Sequence, residues 1–187
     1  LEDHPIFKSL ILIRFVFFIF VVDTLFYNKI LNLKKFFFSS LICTSFVSFD
    51  IIFQYIFNFD IFGMKNIGRY NSGPFGDELI AGGYLQKFSF LSFFYIFHIF
   101  KYKNLNNPLI IFLISTHVLA IALSGNRMPF LLFLLGFFLL ILFIKQIRIV
   151  LVSSLLVFLI IFSVILKNDT QIRVPYQNFY FQTVYQG

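Results

Sequence analysis

Two arginines, an adjacent pair of acids and a tyrosine stand out in a chain that is otherwise apolar. Arg69 and Tyr70 open the polar stretch 69–87, which also holds Gly73-Pro74-Phe75-Gly76, the acids Asp77-Glu78 and the pair Gly82-Gly83. Arg127 closes the short turn Ser124-Gly125-Asn126-Arg127. Two guanidinium groups can grip a phosphate or pyrophosphate through forked hydrogen bonds, which lysine does less well. A carboxylate beside them can take a proton from an acceptor hydroxyl, the role read here for Glu78 with Asp77 as its companion. Tyr70, Phe75 and Tyr84 offer ring faces to a sugar. Each residue also has a plainer use. Arg127 alone would anchor a helix among lipid headgroups, Asp77 would cap a helix start, and interfacial aromatics anchor spans. Both arginines together beside an acid pair favour ligand chemistry.

The elements that must position these residues are greasy. Hydrophobic residues make up 59% of the chain and charged residues 12%, and phenylalanine occurs 32 times. Mean hydropathy is +0.90. A soluble domain of 187 residues has no interior large enough for that much apolar surface, whereas lipid accepts it. The formal net charge of +7 is scattered singly between apolar runs and forms no basic stripe, which argues against nucleic acid. Cys43 stands in an apolar run without metal spacing and reads as a small buried residue. No cofactor or metal motif is present. Leu1 at the start and a polar segment ending at Gly187 read as part of a longer protein.

The expected fold is all-α, a polytopic transmembrane helix bundle of about six spans treated as a single region over 1–187. The apolar runs are Ile6–Val22, Phe36–Phe57, Phe88–Phe100, Pro108–Leu123, Met128–Ile144 and Ile149–Leu166. Arg14 lies deep in the first and should face protein or water. The polar connections are a turn over Asp23–Lys35, the long loop 58–87, a hairpin over Lys101–Asn107, two short turns and a tail from Lys167 to Gly187. Helix is expected to restart near Asp77, since Gly76-Asp77-Glu78 precedes Leu79-Ile80. Asp50 and Gln54 fall on one face of the second span. His117 reads as a helix–helix hydrogen bond rather than a base.

Charge orients the spans. The short turns carry Lys29, Lys34, Lys35, Lys101, Lys103, Lys145 and Arg148 against the lone acid Asp23. The long segments of opposite sidedness mix Lys65, Arg69, Lys87, Arg127, Lys167 and Arg173 with many acids. The positive-inside rule then places loop 58–87, the Ser124–Arg127 turn and segment 167–187 on the face away from the cytoplasm.

The run Arg69…Ser72-Gly73-Pro74-Phe75-Gly76-Asp77-Glu78-Leu79-Ile80-Ala81-Gly82-Gly83-Tyr84-Leu85, followed by Leu123-Ser124-Gly125-Asn126-Arg127, resembles the O-antigen ligase and polymerase superfamily. His4-Pro5 with Lys8-Ser9-Leu10, and Asp50…Gln54 before Phe62-Gly63, add to the likeness. The resemblance implies a bacterial inner-membrane glycosyltransferase without metal or nucleotide sugar. Such an enzyme moves an undecaprenyl-diphosphate-linked glycan to a glycan or lipid acceptor on the periplasmic face, for lipopolysaccharide or other surface polysaccharide. Arg69 and Arg127 match the arginines thought to hold the diphosphate. The ligases' histidine, in a later periplasmic loop, would fall beyond Gly187. Two other readings stay open: a polysaccharide or lipid transporter of flippase type using Asp50 and Arg14 as pathway groups, and a structural membrane subunit without a site.

Overall fold

The computed structural model describes residues 32–68, 70–99 and 108–168, together with 17, 20, 21, 23–25, 27 and 28. Arg69, His4, Lys8, Arg14, the Lys101–Asn107 hairpin and the tail beyond residue 168 lie outside the described residues. By internal contacts the chain divides into two compact units, Leu1–Phe36 and Phe37–Gly187. In the first, Asp23, Thr24, Leu25 and Tyr27 are helical, so the expected polar turn begins later than Asp23. Helix α1, Leu33–Phe57, starts where Asn32 Oδ1 accepts the Lys35 N–H at 3.3 Å. It stops at Asn58, whose φ of 62° is the left-handed turn that asparagine tolerates after a helix.

Four more helices follow: α2 (Ala81–Ile99), α3 (Pro108–Leu123), α4 (Arg127–Phe143) and α5 (Arg148–Asn168). Short 3-10 turns lie at Gly73–Phe75 and Lys145–Ile147. Among the described residues the regular elements are all helices, and the only strand-like pairings are isolated bridges joining Phe59 to Lys65 and Ile67 to Tyr70. Helix α2 begins at Ala81 and not at Asp77, with Ile80 O accepting the Tyr84 N–H at 2.8 Å. Asp77 and Glu78 sit in the exposed turn before it, so Asp77 does not cap the helix. Pro108 opens α3, where its missing N–H costs nothing. Gly125, at φ 79°, ends it. Between α4 and α5 the Arg148 guanidinium donates to the carbonyls of Ile141 at 2.9 Å and Leu142 at 3.2 Å, covering orphan acceptors of the α4 C-terminus.

Helix α3 is the buried centre, with an unbroken run from His117 to Leu123 inside the bundle. It packs most extensively on α5, and α2 lies against both α3 and α4. Phe90, Phe93, Phe133 and Phe137 interlock between α2 and α4; the Phe90 and Phe133 rings stack at 4.9 Å. The rest of the surface inverts the soluble pattern. On α1 the buried stripe includes Ser40, Thr44, Ser48, Asp50 and Gln54, while Phe38, Ile42, Phe46, Phe49 and Ile56 are exposed. Cys43 lies on that exposed face, which corrects the expectation of a buried thiol. Helices α4 and α5 expose Leu132, Leu135, Phe138, Phe143, Leu156 and Ile160 in the same way.

Among the described residues two helices, Leu33–Phe57 and Lys145–Lys167, are long and apolar enough to cross a membrane, which points to a membrane protein. The apolar helices Pro108–Leu123 and Arg127–Phe143 are shorter, at 16 and 17 residues, so helix length does not establish six spans.

Gly136 faces the Phe90 ring so closely that an added Cβ would stand 2.8 Å from its Cζ, whereas a Cβ at Gly83 would meet nothing within 4 Å. Both are helical. Gly136→Ala is expected to destabilise by about 1–3 kcal/mol through overpacking. Gly83→Ala is expected to be neutral or stabilising by up to about 1 kcal/mol through helix propensity. Thermal unfolding of the two variants in detergent checks the opposite signs.

Candidate functional site

The long loop is held from beneath by α1. Asp50 Oδ1 accepts the Ile61 N–H at 2.8 Å, and Gln54 Oε1 accepts the Gly73 N–H at 2.8 Å. Gln54 Nε2 also donates to the Met64 carbonyl at 3.4 Å. Asp50 and Gln54 are four residues apart, so one face of one helix grips both the start and the end of the loop. Within the loop, Asp60 Oδ1 accepts the Met64 N–H at 2.6 Å, and the Asp60 and Met64 backbones pair at 2.9 Å. Gly73 adopts φ 56° and packs on Ile51, where a Cβ would be 3.0 Å from Ile51 Cγ1. Glycine is required there both for the turn and for the approach.

Beyond this clamp the loop reaches the end of α3. Asn71 Nδ2 donates to the Leu123 carbonyl at 2.7 Å, the residue before the Ser124–Arg127 turn. From the other side Asn126 Nδ2 donates to the Leu79 carbonyl at 3.0 Å. Gly82, at the start of α2, fits against the same turn; an added Cβ would lie 2.5 Å from Ser124 Oγ and 2.9 Å from Asn126 Cβ. These contacts leave an open cavity of about 300 Å³ lined by Tyr70, Gly125, Asn126, Arg127, Met128 and Pro129.

Tyr70 and Arg127, expected from sequence to bind substrate, therefore meet in one cavity although they are far apart in the chain. Arg127 is the first residue of α4, so the positive end of that helix dipole adds to its guanidinium. Asn126 precedes the helix but spends its side chain on Leu79, leaving the helix start without a side-chain cap. Glu78 is joined to Arg127 by a short backbone route: its neighbour Leu79 is bonded to Asn126, the residue before Arg127. Glu78 and Asp77 are both exposed, and the Glu78 N–H donates to the Phe75 carbonyl at 3.2 Å. Phe75 and Tyr84, both half-buried, pack on each other with ring centres 5.4 Å apart. The cavity brings together a guanidinium, a phenol and a helix N-terminus, surroundings that suit an anion, and Asp77 and Glu78 are not among its lining residues. Among the described residues no group of three or more His, Cys, Asp or Glu side chains could hold a metal.

Asn71, Asn126 and Asp60 were not legible as site residues. Their partners are backbone groups, and for the two asparagines these lie 52 and 47 residues away. Deeper in the bundle His117 does join helices as expected: Nδ1 bonds the Leu113 carbonyl at 2.8 Å and Nε2 meets Thr44 Oγ1 of α1 at 3.2 Å. Thr44 in turn lies 2.7 Å from Ser92 of α2.

No protein-family model, curated protein or solved structure matches the chain.

Replacing Gln54 by leucine keeps the volume but strands the Gly73 N–H, at a cost of roughly 1–3 kcal/mol for an unsatisfied buried donor. Gln54→Leu is expected to open the 58–80 loop and speed tryptic cleavage at exposed Lys65 by about tenfold. An unchanged cleavage rate would show that the clamp is not what holds the loop.

Proposed function

We propose that this chain is a polytopic bacterial inner-membrane protein of O-antigen ligase or polymerase type. In this reading it transfers or polymerises an undecaprenyl-diphosphate-linked glycan on the periplasmic face. The observation that carries the reading is the cavity where Tyr70 and Arg127 converge at the start of α4. A diphosphate is the ligand that suits a guanidinium, a phenol and a helix N-terminus pointing at one space. Membrane lipid surrounds the apolar outer face and delivers the polyprenyl tail laterally.

The chemistry is a displacement at the anomeric carbon. The acceptor hydroxyl oxygen forms the new C–O bond, and the bond from that carbon to the diphosphate oxygen breaks. The leaving diphosphate keeps the electron pair, and its charge is stabilised by Arg127, with Arg69 and Tyr70 assisting. Glu78, with Asp77 beside it, takes the hydroxyl proton. A glycan or lipid supplies the acceptor. The transport alternative needs Asp50 as a pathway group; one of its oxygens is already committed to the Ile61 N–H, which favours a loop-holding role.

Arg127→Ala is expected to lower glycan transfer from a polyprenyl-diphosphate donor by at least roughly tenfold, the worth of a charge-assisted pair. Arg127→Lys should recover part of that, and Tyr70→Phe should cost only a few-fold. The assay uses membranes with immunoblotted protein levels matched to wild type. Wild-type transfer by Arg127→Ala would remove the diphosphate site and the reading with it.

A further inference from the structure

Two carboxylates sealed at the loop-bearing end of the bundle take no part in the reaction above. Asp50 and Asp60 are both 0% exposed. Each commits one oxygen to a backbone N–H, Asp50 to Ile61 and Asp60 to Met64. The second oxygen of each, Oδ2, is buried with no hydrogen-bond partner among the described residues. Ile61 directly follows Asp60, so the 2.8 Å bond to its nitrogen brings the Asp50 carboxylate within about 5 Å of the Asp60 backbone. Two desolvated carboxylates cost several kcal/mol each unless a proton or a counter-charge joins them.

The far end of the loop brings its backbone to the same place. A Cβ on Gly73 would lie 3.7 Å from Asp50 Oδ2, so this backbone closes directly over the free carboxylate oxygen. The residue before it, Ser72, is 1% exposed, and its Oγ has no partner among the described residues. Asn71 Oδ1 is likewise buried and without a partner among the described residues.

We propose that Asp50 and Asp60 hold a hard, oxygen-liganded cation, with Ser72 Oγ as a neutral ligand and calcium as the best charge match. The donors are oxygens throughout, which suits calcium rather than a thiolate- or imidazole-seeking metal. The ion ties α1 to both ends of the segment that carries Tyr70. The site is separate from the Tyr70–Arg127 cavity and stands whether or not that cavity binds a diphosphate.

The test uses the full chain purified in detergent and stripped with a chelator. Terbium is the first probe, excited through the protein's tyrosines; the chain has nine and no tryptophan. Sensitised terbium emission that calcium displaces is expected, as is a thermal midpoint several degrees higher in millimolar calcium than in chelator. Asp60→Asn and Asp50→Asn should each weaken terbium binding at least roughly tenfold. The double variant Asp77→Asn/Glu78→Gln, which alters only exposed carboxylates, should bind terbium as wild type does. The wild-type protein decides the matter even where a variant fails to fold. No emission, with equal melting in calcium, magnesium, sodium and chelator, would mean that protons neutralise the pair, and would overturn the site. Emission that survives both Asp50→Asn and Asp60→Asn would overturn it as well.

Discussion

The loop can lie over the helix ends only because α1 gives its backbone something to bond. Loop N–H groups turned toward an apolar bundle have no water to satisfy them, and an unpaired donor there is costly. Asp50 and Gln54 supply the acceptors at Ile61 and Gly73. Once both ends are fixed, the intervening chain is short enough that Asn71 reaches the α3 carbonyl at Leu123. The position of Tyr70 beside Arg127 follows from that chain of bonds.

The same constraint explains the inverted helices. In lipid, hydrophobic residues gain nothing by turning inward, so packing and polar contacts choose which face is buried. α1 buries serine, threonine, aspartate and glutamine alongside Val47 and Ile51 and leaves Phe38, Phe46 and Phe49 outside. Thr44, Ser92 and His117 then join α1, α2 and α3 across the bundle centre. The arginines of the described helices stand at helix ends: Arg148 covers the last carbonyls of α4, and Arg127 starts that helix. The phenylalanines serve two distinct ends, interlocking between α2 and α4 and coating the outside.

Much of the helical layout was legible because apolar runs and breakers are local signals. Pro108 and Gly125 bracket α3 where the sequence said they would. The shared face of Asp50 and Gln54 and the bridging role of His117 were readable from helical spacing and burial cost. The start of α2 was not. Gly76-Asp77-Glu78 resembles a capped helix start, but Asp77 lies in an exposed turn, and the helix begins at Ala81. The position of Cys43 was missed because an apolar run does not reveal which face meets solvent when that solvent is lipid. Within the site, Arg127 and Tyr70 were legible by type. Asn71 and Asn126 were not, because their partners are carbonyls that any residue could present.

Gly82 makes the start of α2 and the Ser124–Asn126 turn one mechanical piece. There is no gap between them for a methyl group, and Asn126 is bonded to the residues just ahead of α2. A ligand that pulls on the turn therefore cannot reshape the cavity mouth alone. It must swing the head of α2 with it, and α2 carries Ser92 of the central polar cluster. The mouth and the middle of the bundle are thus geared together by the absence of a single side chain.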